Sequence, residues 1–174
     1  MALPNTAIDL IKNSETSIQS SFHFVKDFGD ISGDNFSLNT TIKNSYDDKW
    51  AVCQTTKIII LGTKGAMIIP FSIPGCVSDI NLLLNDVYLN GKENDLSAFG
   101  VNFSLKKDIE IKIINKELKL FVNNNEVYSN KYNDTMGRLV GVRYRFIGAL
   151  EVEKLVIIDE ITKSTVLNET FSSL

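Results

Sequence analysis

Gly137-Arg-Leu-Val-Gly-Val-Arg-Tyr-Arg-Phe-Ile-Gly148 is followed at once by Ala149-Leu-Glu-Val-Glu-Lys-Leu-Val-Ile-Ile-Asp159. Both runs are rich in β-branched and aromatic residues, which fit a pleated, half-buried surface. They read as two long strands back to back, with glycine at the corner between them. Upstream, residues 109–122 read as a hairpin with Asn115-Lys116 as a two-residue turn. That turn sets Ile113 opposite Leu118, Ile111 opposite Leu120 and Ile109 opposite Val122, placing three apolar pairs on one face. Asp108, Glu110, Lys112 and Lys119 take the other face, interrupted by Phe121, and the hairpin ends in Asn123-Asn124-Asn125. This is the closing half of an all-β sandwich.

Working outward, residues 35–43 alternate with Phe36, Leu38, Thr40 and Ile42 on one side. Regular strand pattern begins near Ile18, and Phe22, Phe24 and Phe28 mark a first strand and its exit. Residues 80–89 read as one strand, residues 91–95 as a loop, and residues 101–105 as a short strand or an extended connection. Residues 163–171 form a last strand beside the one before it. Helix is nearly absent. Ahead of this, residues 1–16 show no alternation, and Ala7 to Ile11 reads as a short helix or a tether. The expected organisation is therefore a tether over 1–16 and a single sandwich over 17–174.

The bulk numbers narrow the function classes. The 174-residue chain is 44% hydrophobic with a formal charge of −3, so it is a folding sequence without a concentrated basic face for nucleic acid. No apolar run approaches the roughly 20 residues that cross a bilayer, and the amino terminus lacks the order of a signal peptide. Residues 51–61 and 66–76 flank the turn Gly62-Thr-Lys-Gly65. Folding the arms together sets Cys53 opposite Pro74 or Gly75, and one bulge, encouraged by Pro70 or Pro74, would set it beside Cys76. A Cys53–Cys76 disulfide is favoured over two free buried thiols and would place the protein in the periplasm or outside the cell.

Several segments occur in a familiar order: Asp95-Leu-Ser-Ala-Phe-Gly100, the 109–122 hairpin, Val127-Tyr128, Tyr132, Gly137-Arg-Leu-Val-Gly141 and Tyr144-Arg-Phe-Ile-Gly148. With Phe28-Gly-Asp-Ile-Ser-Gly-Asp-Asn-Phe36 and the Gly75-Cys76 pair, they resemble a concanavalin A-like lectin/glucanase jelly roll. That superfamily includes laminin G-like and keto-disaccharide hydrolase-like domains. More narrowly, the pattern is similar to a domain at the carboxyl end of membrane-anchored bacterial proteins of uncharacterised role. The resemblance covers roughly residues 22–171. It implies two antiparallel sheets face to face, one concave, with ligands held on that side or at loop tips. It does not imply catalysis: glycanases of the superfamily carry Glu-x-Asp-x-Glu or Glu-x-Asp-x-x-Glu, whereas Glu151-Val-Glu-Lys-Leu155 lacks a third carboxylate.

Candidate side chains follow. Glu151 and Glu153 share a strand face about 6.5–7 Å apart, near the ~5–5.5 Å separation of a retaining glycosidase. Pairing with Arg143 or Arg145 across the hairpin is the favoured reading. Arg143 and Arg145 occupy one face of their strand, where guanidinium forks would suit acidic or hydroxyl-rich sugars, or else make surface ion pairs. Trp50, the single tryptophan, is equally placed to stack on a sugar or to anchor the Cys53 strand. Tyr128 and Tyr132, and Tyr88 after them, are further stacking candidates. Asp27, Asp30 and Asp34, with Asn35, form an oxygen-rich region that calcium would suit, although Asp with Gly is ordinary turn chemistry. No metal is assigned, and no cofactor. His23 has no partner at ligand spacing and reads as an exposed strand residue. No Gly-x-Ser-x-Gly and no phosphate loop occurs.

The expected function is a non-catalytic extracytoplasmic module that binds or senses a carbohydrate or cell-envelope glycan. The alternative is a structural or protein-interaction domain of a membrane-anchored assembly, with an envelope protein as partner. A glycoside-processing enzyme ranks third.

Overall fold

A computed structural model describes residues 7–13, 17–25, 27–45 and 53–171, the first two segments as backbone alone. Among the described residues lie β1 (Ala7–Asn13), β2 (Ser17–Val25), β3 (Asn35–Ser45), β4 (Thr55–Gly62), β5 (Ala66–Ser72), β6 (Asn81–Leu84), β7 (Val87–Asn90), β8 (Lys107–Ile114), β9 (Glu117–Val122), β10 (Asn125–Lys131), β11 (Leu139–Ile147), β12 (Ala149–Asp159) and β13 (Thr165–Thr170). One sheet runs β1-β2-β11-β4-β5-β6-β7 and the other β10-β9-β8-β3-β12-β13. The two sheets pack face to face as an antiparallel jelly-roll sandwich.

The core follows from strand alternation. Phe36, Leu38 and Ile42 of β3, Ile109, Ile111 and Ile113 of β8, and Leu155 and Ile157 of β12 line one inner face. Ile58, Ile60, Met67, Ile69, Phe71, Leu82, Leu84, Val142 and Tyr144 meet them from the other sheet. The β8–β9 hairpin has the expected register, Ile113 to Leu118 through Ile109 to Val122. Asn115 and Lys116 both take positive φ (50° and 64°), as a primed two-residue turn requires. β13 pairs with β12, also as expected.

Four readings change. Ala7–Asn13 is a strand paired with β2, so sheet pairing begins there and not near Ile18. Residues 80–89 are two strands, β6 and β7, folded about Asn85-Asp86; Asn85 at φ 56° supplies the turn inside an apolar run. Residues 101–105 contain no strand and form a connection, one of the two readings the sequence left open. Asn125–Lys131 is a strand that the polar Asn-rich text conceals.

The fourth change concerns the corner. β11 and β12 meet at Gly148 (φ 120°) but lie in different sheets. Glu151 and Glu153 therefore do not face the arginines. Glu151 pairs with Lys43 at 3.6 Å and Glu153 with Lys106. A register shift between Val152 and Lys154 also breaks the simple alternation that would put both glutamates on one face.

Cys53 and Cys76 are disulfide-bonded. β4 and β5 pair Thr55 with Ser72, a register that extrapolates to Cys53 opposite Pro74, as expected. However, the β4–β5 ladder runs without a register shift. Instead the chain enters a 3-10 turn at Pro74–Asp79, and that turn carries Cys76 back to its partner.

Buried polar links tie the sheets together. The Tyr144 hydroxyl of β11 donates to Thr40 Oγ1 of β3 (2.9 Å), and Thr40 donates to the Lys154 carbonyl of β12 (2.8 Å). Asn44 Nδ2 of β3 donates to Thr56 Oγ1 of β4 (3.0 Å) and to the Ile147 carbonyl (3.1 Å).

Candidate functional site

The outer face of the seven-stranded sheet is set by the same alternation that buries its inner face. Following cross-strand partners, one row runs Arg143, Ile59, Ile68, Leu83, Tyr88. The three aliphatic residues are half-buried, and Tyr88 at the far end is 61% exposed. The neighbouring row sets Arg145 opposite Lys57. At adjacent-strand spacing of about 4.8 Å, Arg143 and Tyr88 stand roughly 19 Å apart in the backbone.

Tyr88 sits in a shallow depression of about 390 Å³ with Ser78, Asp79, Asn81, Asn90, Lys92 and Glu93. Asn90 is the organiser: its Oδ1 accepts from Lys92 N (3.1 Å) and Glu93 N (3.0 Å), and its Nδ2 donates to Glu93 Oε2 (2.9 Å). An exposed phenol ring beside amides, carboxylates and an ammonium offers one apolar stacking surface with hydrogen-bonding groups around it.

At the other end of the face, Arg143, Arg145 and Lys57 cluster. Burial, and secondarily the Arg145 charge, holds the Lys57 ammonium below the usual lysine range. Among the described residues, no ion pair involves any of the three.

Other predicted residues lie elsewhere. Trp50 is outside the described residues, and so is the side chain of His23. Tyr132 is 3% exposed, and its hydroxyl donates to Asp34 Oδ1 at 2.9 Å; burial first, then that hydrogen bond, pushes the phenol well above the usual tyrosine range. Tyr128 packs against Phe99 (ring centroids 4.8 Å), and its hydroxyl accepts from Asn130 Nδ2. Tyr128 thereby covers part of the Phe99–Phe71–Phe103 aromatic cluster from edge strand β10. Tyr132 is enclosed, whereas Tyr128 is half-buried.

The three aspartates do not converge. Asp27 caps Gly29 N (2.9 Å), and Asp30 lies 3.7 Å from Arg138 in full solvent. Asp34 is buried and accepts from Tyr132, from Thr135 and from Met136 N (2.9 Å). No group of three or more His, Cys, Asp or Glu side chains among the described residues gathers at metal-binding distance.

Sequence reading ranked Tyr88 low and missed Lys57, Asn81 and Asn90. The β6–β7 turn was the available signal: splitting residues 80–89 at Asn85-Asp86 turns Tyr88 outward with Asn90.

No known family profile matches the sequence, and no curated protein does. Solved structures are more informative. One of the endo-acting O-glycanases with which prominent members of the human gut microbiota initiate mucin breakdown superposes with a TM-score of 0.50 at 10% identity, over 82% of this chain and 66% of that one. The fold is the concanavalin A-like jelly roll. The carbohydrate-binding module CBM66 from Bacillus subtilis aligns over 85% of this jelly roll and 91% of its own length, with a TM-score of 0.47 and 8% identity. A Bacillus licheniformis β-glucanase aligns over 74% of this chain, also with a TM-score of 0.47 and 8% identity, and the chain spans 58% of that enzyme's length.

Proposed function

We propose that this jelly roll is a non-catalytic module that binds a carbohydrate or cell-envelope glycan on the outer face of its seven-stranded sheet. The observation that carries the reading is the row from Arg143 to Tyr88, an aliphatic floor with a cationic end and an exposed aromatic end. Strands β2, β4, β5, β6, β7 and β11 carry no carboxylate; of the two that line the Tyr88 depression from its loops, Asp79 and Glu93, Glu93 is held by Asn90 Nδ2 (2.9 Å). Glu151 and Glu153 lie on the opposite sheet, each beside a lysine. The Cys53–Cys76 bridge favours an oxidising compartment, periplasmic or extracellular. No helix among the described residues is long and apolar enough to cross a membrane.

The test is a binding screen of the oxidised protein against a broad polysaccharide panel, with reducing-end release measured in parallel and calcium added or chelated. Retention of a glycan without new reducing ends, weakened at least tenfold by Tyr88→Ala, is the expected result. Release of new reducing ends would replace this reading with a hydrolytic one. No retention across the panel would shift it to an envelope protein partner.

A further inference from the structure

We infer that the glycan taken by this face is acidic, its carboxylate or sulfate groups held by Arg143, Arg145 and Lys57; this rests on the carbohydrate-binding reading and narrows it to a ligand class. The first observation is the distribution of charge. The seven strands of this sheet contain a single carboxylate residue, Asp9 of β1, against Lys12, Lys57, Arg143 and Arg145; the loop carboxylates Asp79 and Glu93 lie with Lys92 at the far, Tyr88 end of the face, away from the Arg143, Arg145 and Lys57 cluster. Asp9 lies in the same row as Arg145, with Ser21 between them in register, so two strand spacings, roughly 10 Å, separate the backbones. The other sheet behaves oppositely. Its strands interleave acids and bases, and pairs such as Lys43–Glu151, Lys119–Glu126 and Lys131–Glu117 neutralise one another there.

The second observation is that two cations are placed directly opposite. Arg145 and Lys57 are cross-strand partners, so their Cβ atoms approach to about 5 Å on one face, where like charges repel. The positions beside Lys57 on this face, Thr55 and Ile59 along β4 and Pro70 across on β5, carry no carboxylate. Arg143 adds a third cation one alternation along β11, and its Nε is enclosed without an acceptor among the described residues. That enclosed Nε is beyond a polymer's reach, so the donors Arg143 can offer a ligand are its terminal NH groups. A bidentate oxyanion satisfies a guanidinium fork and removes the Arg145–Lys57 repulsion together. The aliphatic strip Ile59, Ile68 and Leu83 leads from this cluster to the Tyr88 depression, which gives a polymer a path and separates the site from a simple basic patch.

The experiment compares matched polymers that differ only in charge. Polygalacturonate, alginate and hyaluronan would be titrated against the oxidised protein, each beside its carboxyl-reduced derivative, with neutral glucans and poly-glutamate as further arms. Binding of at least one acidic polymer, lost on carboxyl reduction and weakened about tenfold or more by the Arg145→Ala/Lys57→Ala double variant, is the result expected. Circular dichroism and an unchanged thermal midpoint establish that the double variant is folded. Because these side chains are on the surface and mutually repulsive, the milder Arg145→Gln serves as a second variant with the same predicted direction. Binding of neutral glucans with no preference for the acidic polymers would overturn the inference and leave the carbohydrate-binding reading standing. Equal binding of poly-glutamate would overturn it in favour of a non-selective anion surface, and acidic-glycan binding untouched by both variants would place the site elsewhere. Retention of no polymer would overturn both.

Discussion

Asp34 and Tyr132 show how a residue that looks ligand-facing in sequence serves the fold. The buried Asp34 carboxylate gathers Tyr132, Thr135 and Met136 N. The surrounding loop is fastened to the ends of both sheets, through Gly33 N to the Gly137 carbonyl (2.7 Å), Lys64 N to the Met136 carbonyl (3.1 Å) and Asn85 Nδ2 to the Asp134 carbonyl (2.7 Å). Tyr132→Phe removes one hydrogen bond to a carboxylate and should cost about 1.5–3 kcal/mol in urea unfolding, with glycan binding unchanged. A loss of binding at unchanged stability would return Tyr132 to the ligand site. Tyr144 makes the complementary case. Burial first, offset in part by its hydrogen bond to Thr40, pushes its phenol above the ordinary range. Tyrosines raised in the fold keep protons that the unfolded chain releases above about pH 10. Two of the chain's five tyrosines should therefore ionise only as the protein unfolds in alkali, a step visible by ultraviolet titration.

Strand elements were legible where a local signal fixed register and hidden where pairing was long-range. The β8–β9 hairpin could be read to the residue because Asn115-Lys116 sets the turn and the apolar pairs confirm the parity. The Cys53 register was legible for the same reason, yet the 3-10 turn that delivers Cys76 was not, since Pro-Gly admits either a bulge or a turn. β11 followed by β12 looked like a hairpin because nothing in the text marks a change of sheet except Gly148. Arg143 and Arg145 were legible as one face from alternation alone. Lys57, their neighbour, is more than 80 positions upstream and could be found only through the β4–β11 ladder. At this scale the disulfide makes a clear prediction. The loop between Cys53 and Cys76 spans 23 positions, so Cys53→Ser/Cys76→Ser should lower unfolding stability by about 3 kcal/mol in the chain-entropy treatment. No measurable change would mean that the 3-10 turn is held by other contacts.

Among the described residues charge is divided between the two sheets, ion-paired on one and, at Arg143, Arg145 and Lys57, without an ion pair on the other. The loops carry a different electrostatic load. Asp86 is held below the usual carboxylate range chiefly by Asn133 N–H, and Asp95 by Ser97. Burial opposes ionisation of Glu160, but Lys163, Ser37 and Lys112 more than offset it. Carboxyls depressed in the fold contribute stability that is present above their unfolded values, about pH 4–4.5, and is lost as pH falls through the lower folded values. The thermal midpoint should accordingly be steady from neutrality to about pH 5 and fall below pH 4.5, and a rising midpoint on acidification would contradict these assignments. The central claim, that the seven-stranded sheet presents the binding face, is tested most directly by backbone amide chemical-shift mapping with whichever polysaccharide the panel retains. The account predicts perturbations along β11, β4, β5, β6 and β7, strongest near Arg143, Arg145, Lys57 and Tyr88. Perturbations confined to β8, β9, β10 or β12 would contradict it.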